Sequence, residues 1–261
     1  MTVSLERGPV RVSVSPNDGG RMSSLVVAGR ERLVVDTSRG PFGWGCYVMA
    51  PWAGRLRNAR LDWNASTFDM PANAGVHAMH GTTFDRKWTV EQATTSRLVL
   101  QSDFGETWPF GGEVTHVIEV GEDSLHLELS VRSTEPMPIQ VGWHPWFVAP
   151  ARVQHSFRAM YLRGDDGIPT GELVPPTTGP HDDCFVDIVD NPVVTFDDGV
   201  SIHMQSDCNH WVIFDELSEG LCVEPQSGPP NELNVAPVVV EPGQPFRRTF
   251  RLTFGGYPQV G

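Results

Sequence analysis

Two short stretches of the chain place proton-moving side chains in apolar company. Val141–Phe147 reads Val-Gly-Trp-His-Pro-Trp-Phe and sets His144 among aromatic rings. An imidazole titrates near neutral pH and so can give or take a proton there. Rings beside it, Trp146 and Trp143 here with Trp52 upstream, offer platforms for the apolar face of a sugar. Leu221–Asn234 reads Leu-Cys-Val-Glu-Pro-Gln-Ser-Gly-Pro-Pro-Asn-Glu-Leu-Asn. Glu224 emerges there from an apolar run, where lost solvation raises a carboxylate's proton affinity toward that of a general base. The plainer readings are a packed core histidine and a salt-bridged strand-end glutamate.

Three further segments offer ligand-binding groups. Ala53-Gly-Arg-Leu-Arg-Asn-Ala-Arg places Arg55 and Arg57 on one face of an extended strand. His77-Ala-Met-His-Gly has histidines three apart, a metal-binding spacing on a helix. Gly75 and Gly81 flank it and oppose a helix, and no third ligand accompanies it, so no metal is expected. His181-Asp-Asp-Cys-Phe puts Asp182 and Asp183 before a strand, as a solvated turn or as acceptors for sugar hydroxyls.

Antiparallel strands must position these groups. Strict alternation marks Val10–Val14, and turn residues at Asn17–Gly20 lead into Met22–Ala28. Arg32–Asp36 and Cys46–Met49 are expected as strands, as is Met137–Val141, which places His144 near a strand end. Phe68–Asp85 is a long segment without periodicity, expected to be an ordered binding loop. Trp88–Gln92, Ser96–Phe104, Glu113–Val120 and Ser124–Arg132 alternate. Phe185–Val189, Val193–Phe196, Val200–Gln205, His210–Phe214, Gly220–Glu224 and Phe246–Phe254 follow. No helix of substantial length and no repeat is apparent, and 26 glycines with 22 prolines fit many turns. The expectation is an all-β fold, an antiparallel β-sandwich forming one domain over residues 1–261.

Composition narrows the partners. With 19 basic and 32 acidic residues in 261, the formal charge is −13, which disfavours nucleic acid and anionic membranes as partners. Lys87 is the single lysine, so the positive charge is arginine, suited to oxygen-rich ligands. No apolar run approaches the ~20 residues of a membrane helix. Four cysteines without CxxC spacing, and an N-terminus without signal-peptide character, lead to the expectation of reduced thiols in the cytoplasm. A monomer or homodimer is expected.

Taken in order, Gly54-Arg55-Leu56, His80-Gly81, His144-Pro145 and Glu224-Pro225-Gln226 resemble the aldose 1-epimerase (galactose mutarotase) family. The resemblance runs from about Gly40 to the C-terminus. It implies a galactose-mutarotase-like supersandwich and interconversion of the α and β anomers of an aldose, without a cofactor. It assigns Glu224 as the base at the anomeric hydroxyl and His144 as the acid at the ring oxygen. His80, Arg55, Asp182 and Trp146 become substrate-binding residues. Two departures, Gly54 where the family often has Asn and Thr82 where it often has a second Gly, lie near the sugar and point to an altered substrate. Ring opening requires an ionised base and a protonated acid, so Glu224 is expected to titrate below His144. Two other readings share these residues: a glycoside hydrolase using Glu224 with Asp182 or Asp183, and a non-catalytic carbohydrate-binding module. A phosphorylated hexose would call for a rim cluster of Arg57, Arg60 and Arg86.

Overall fold

A computed structural model describes residues 2–257. The chain opens with β1 (Val3–Arg7), β2 (Val10–Ser15), β3 (Arg21–Val27) and β4 (Arg30–Glu31), then β5 (Cys46–Met49). Short pairs β6 (Arg55–Leu56) with β9 (Ala78–Met79), and β7 (Arg60–Trp63) with β8 (Ser66–Asp69), fill the next stretch. β10 (Thr89–Ala93), β11 (Arg97–Asp103), β12 (Glu113–Val120) and β13 (Ser124–Arg132) form a meander. β14 (Met137–Ile139) precedes β15 (Gly142–Val148), β16 (Ala151–Arg163), β17 (Pro169–Val174) and β18 (Asp182–Phe196). β19 (Ser201–Ser206), β20 (His210–Phe214), β21 (Gly220–Gln226), β22 (Val238–Val240) and β23 (Phe246–Gly255) complete it. The named strand pairings are antiparallel throughout, and among the described residues helix is confined to three short 3₁₀ turns.

Two halves of the large sheet pack face to face. One half runs β10–β11–β12–β13–β23–β19, and along β11, β12 and β13 one side chain points in and the next out. The other runs β5–β15–β21–β20–β18–β16. β5, β15 and β21 there are almost wholly buried, on both faces. The inward rings of Trp143 on β15 and Trp211 on β20 meet Phe250 of β23 across the sandwich at centroid distances of 5.7 and 6.1 Å. Each fully buried large apolar side chain contributes about 1.5–3 kcal/mol.

Several expectations need correction. Met137–Ile139 is a separate strand paired with β22, and His144 sits mid-strand in β15 rather than near an end. Residues 32–36 make only an isolated bridge, Leu33 to Phe147; the buried Arg32 guanidinium turns away to Val27 O and to Asp198. The 13-residue β16 went unrecognised in the sequence because its exposure follows no regular alternation. Asp182 and Asp183 lie in β18, not in a solvated turn. Trp52 and Trp143 are enclosed, 1% and 0% exposed, so neither can present a face to a sugar.

Candidate active site

Strand register builds the floor of the site. β15 pairs with β21 through Gly142 opposite Gln226 and Trp146 opposite Cys222, which sets His144 directly across from Glu224. His144 also faces Tyr47 on β5, Glu224 faces Val212 on β20, and Val212 faces Cys184 on β18. Tyr47, His144, Glu224, Val212 and Cys184 thus form one row across five strands. Side chains two residues apart share a face, so Trp146, Phe214, Asp182 and Gln226 join the same surface. Their odd-numbered neighbours Trp143, Trp211, Val223 and Phe185 point into the core.

Loops raise the walls of a cavity of about 160 Å³ over this floor. β6 pairs with β9 through Arg55 opposite Met79, which brings Arg55 and His80 to one rim. Gly54 has φ +69°, and a Cβ there would sit 2.7 Å from Pro230, so no side chain has room there without movement. Gly81 is tighter still, its Cβ position 2.0 Å from Ala50 O. His80 itself holds φ +62°, a left-handed conformation that costs a non-glycine residue about 1–3 kcal/mol. The Gly54 N–H donates to His80 Nδ1 at 3.3 Å, which leaves the imidazole hydrogen on Nε2 as a donor. Gln140 holds the 228–230 turn by donating to Gly228 O and Pro229 O, and Pro230 closes that side.

All six residues singled out for the site, Glu224, His144, His80, Arg55, Asp182 and Trp146, line this one cavity. His144 Nε2 lies 3.1 Å from Glu224 Oε1, and Gln226 Nε2 donates to Glu224 Oε2 at 3.0 Å. The His144 ring stacks on Tyr47 at 4.6 Å and on Trp146 at 5.6 Å, and meets His80 edge-on at 4.9 Å. Asp182 receives Arg163 at 3.1 Å and Arg55 at 3.6 Å. Tyr161 and Arg163 on β16, Asp183 and Phe42 also line the cavity. Arg163 and Tyr161 escaped sequence reasoning; their i, i+2 spacing on an extended run was the available signal.

The proton order is the reverse of the one expected. Burial drives the Glu224 carboxyl well above its usual range, with Asp182 adding to the rise and the Gln226 hydrogen bond and Arg55 opposing it. Burial pushes His144 down to about 3, with the Arg21 charge acting in the same direction. Desolvation penalises both charged forms and so favours a neutral pair with the proton on Glu224. Asp182 is raised, mainly by burial, against the pull of Arg55 and Arg163.

His77 and His80 do not converge: His77 Nδ1 accepts from Asn58 N–H, while His80 Nδ1 accepts from Gly54. Among the described residues, His144, Cys222 and Glu224 have ligand atoms within 4.8 Å of one another. Two of these, His144 and Glu224, already face each other at 3.1 Å, and burial raises the Cys222 thiol well above its usual range, so the resting group does not present a ready donor set.

Comparison with known proteins agrees with this architecture. Residues 1–253 match the aldose 1-epimerase family, and the chain belongs to that family. Its fold is galactose mutarotase-like. A galactose mutarotase-like protein from Clostridium acetobutylicum superposes with a TM-score of 0.85 at 20% identity, over 97% of this chain and 95% of that one. An aldose epimerase homologue from C. elegans gives 0.86 at 14% identity, over 99% of each chain. A galactose mutarotase related enzyme from Lactobacillus acidophilus gives 0.82 at 18% identity over both full chains. None of the curated proteins matches the chain.

Proposed function

We propose that the protein is an active aldose 1-epimerase whose single domain opens and recloses the ring of an unphosphorylated aldose. The observation that carries this is the 3.1 Å pairing of His144 with Glu224 on the floor of a small cavity. A cyclic aldose bears its hydroxyl and its ring oxygen on the same carbon. A base and an acid this close can serve both atoms at once.

The pair holds one proton, and the reaction needs only one. As the sugar enters, its C1 hydroxyl donates to Glu224, and the carboxylate form gains hydrogen bonds it lacks when empty. The proton then resides on His144. Glu224 takes the C1 hydroxyl proton while His144 protonates the ring oxygen, the C1–O5 bond breaks, and C1 becomes an aldehyde. Rotation about C1–C2 and the reverse transfers close the ring on the other face. Each positioned transfer is worth about 10²- to 10⁴-fold. His80 Nε2–H supports the ring oxygen, and Arg55 and Asp182 bind hydroxyls, with Trp146 beneath the apolar sugar face.

Arg57, Arg60 and Arg86 are each already paired, with Asp166, Asp69 and Asp103. Arg55 and Arg163 share Asp182, so the rim keeps no free cluster for a phosphate. A hydrolase would leave the His144–Glu224 contact without a task. The four cysteines are free and buried, and we place the protein in the cytoplasm, as a monomer or homodimer acting on a small-molecule sugar.

The test is anomer exchange followed by NMR over a panel of aldoses, with Glu224→Gln beside the wild type. Acceleration on at least one sugar, lost in the variant, is the expected result. Sugar binding without acceleration would instead make the protein a carbohydrate-binding module, and equal rates for variant and wild type would remove Glu224 as the base.

A further inference from the structure

Arg21, on β3, is 1% exposed, yet among the described residues no carboxylate bonds it. Its guanidinium spends its donors on main-chain carbonyls: Asp18 O at 2.8 Å, Trp44 O at 2.9 Å, Pro41 O at 2.8 Å and Phe84 O at 2.9 Å. Desolvating a charge is costly unless every donor is satisfied, and here carbonyl dipoles alone meet that need. The cation lies 4.3 Å from the Trp44 ring centroid and 5.0 Å from that of Tyr47. On its other face Tyr47 stacks on His144. A buried charge therefore stands one aromatic ring behind the imidazole.

Two of these bonds, to Pro41 O and Trp44 O, fix the 41–44 loop. That loop supplies Phe42 to the cavity, and Phe42 O accepts from Trp146 Nε1 at 2.6 Å and from Tyr47 Oη at 3.3 Å. Arg21, the loop, Tyr47 and Trp146 thus clamp His144 from both faces.

We propose that Arg21 is a positioning residue for the reaction: it clamps the rings around His144, and its charge makes the imidazolium that forms during turnover a stronger acid. This rests on the acid–base reading of His144. The other groups facing that imidazole are Tyr47 from β5, His80 from its turn, and Glu224 and Cys222 from β21; Arg55 and Asp182 lie beyond them. Arg21 stands on the imidazole side of the pair. Its charge there disfavours imidazolium more than it favours the carboxylate, so the proton leaves His144 for the ring oxygen more readily.

The experiment compares Arg21→Lys, which keeps the charge and loses the fork, with Arg21→Gln, which loses the charge. Two readouts are taken: the ¹⁵N NMR titration of the His144 ring, and kcat, KM and their pH dependence for anomer exchange. In Arg21→Gln the His144 midpoint should rise by about one pH unit, with kcat down roughly 10-fold and KM within about 3-fold. In Arg21→Lys the midpoint should stay at the wild-type value while kcat falls. Equal midpoints in all three proteins, or wild-type kcat in either variant, would overturn the proposal. Should Arg21→Gln not fold, Arg21→Lys still decides it, through unchanged titration with lowered kcat. If the wild type accelerates no sugar, the enzymatic reading fails while the NMR titration still reports on Arg21.

Discussion

His116 and His144 make an instructive pair. Both are buried, and burial pushes both down to about 3. His116 belongs to β12, in the half of the sandwich where side chains alternate between core and solvent. Its Nε2 accepts from Trp143 Nε1 at 3.2 Å, and apolar residues surround it. His144 belongs to β15, where both faces are covered, and its partner is a carboxyl group at the floor of a cavity. Burial and proton affinity alone do not separate them. What separates them is the partner and the access: one imidazole completes a core, while the other keeps a proton within reach of a ligand.

The contrast can be broken by exchanging the same residue in each half. His144→Gln should lower anomer exchange by about 10²- to 10⁴-fold, measured by NMR, with the fold retained. His116→Gln should leave exchange near wild type and instead cost about 1–3 kcal/mol in urea unfolding, because the Trp143 N–H is left poorly matched. Loss of activity from His116→Gln in a folded protein would erase the distinction.

A smaller effect is expected at the rim. Arg163→Ala frees Asp182 and Asp183 from an ion pair and removes a donor from the wall. KM should rise about 10-fold with kcat little changed, in line with a lost hydrogen bond to a charged group. A fall in kcat alone would instead assign Arg163 to the reacting atoms.

The pH dependence sharpens the comparison further. His144 gains a second proton for the pair only near 3, and Glu224 gives up its own well above the usual carboxylate range. The profile of kcat/KM should therefore be a broad plateau with an acid and an alkaline limb, both belonging to the coupled pair. A single limb near pH 6.5 would show that the imidazole titrates as though exposed.

Stability should follow the histidines of both halves. His116, His144 and His210 have folded values lowered to about 3, 3 and 4, and His80 is lowered too, each chiefly by burial. The unfolded chain protonates these rings below about 6.5, whereas the folded chain does not. Their contribution is present above that value and is lost as pH falls toward the folded values, by roughly 1 kcal/mol per pH unit per imidazole. Urea midpoints at pH 7 and pH 5 measure it. The raised Glu224 carboxyl works in the opposite sense, its contribution being present below its unfolded value and lost as pH rises through the folded one.

Much of this was legible before any coordinates. The alternating strands announced a sandwich, and the segments around Arg55, His80, His144 and Glu224 fall together in one cavity. Parity carried more than was taken from it. Trp143 and Trp146 are three apart, so on one strand they must face opposite ways, and only Trp146 reaches the cavity. Arg163 and Tyr161 were hidden because β16 lies at a partly exposed wall, without the apolar rhythm that marks a strand. The titration order was hidden for a different reason. It depends on how completely two groups are dried, which is a property of the packed molecule and not of the residues next to them in the chain.

His144 and Glu224 face each other on one rung of the β15–β21 ladder, so the gap between them is a constant of the sheet. Loops bearing Phe42, Gly54, Met79 and Gly167 can lengthen, shorten or trade residues without altering that gap. Descent can thus retune which ligand is admitted while the His144–Glu224 pair is carried forward unchanged.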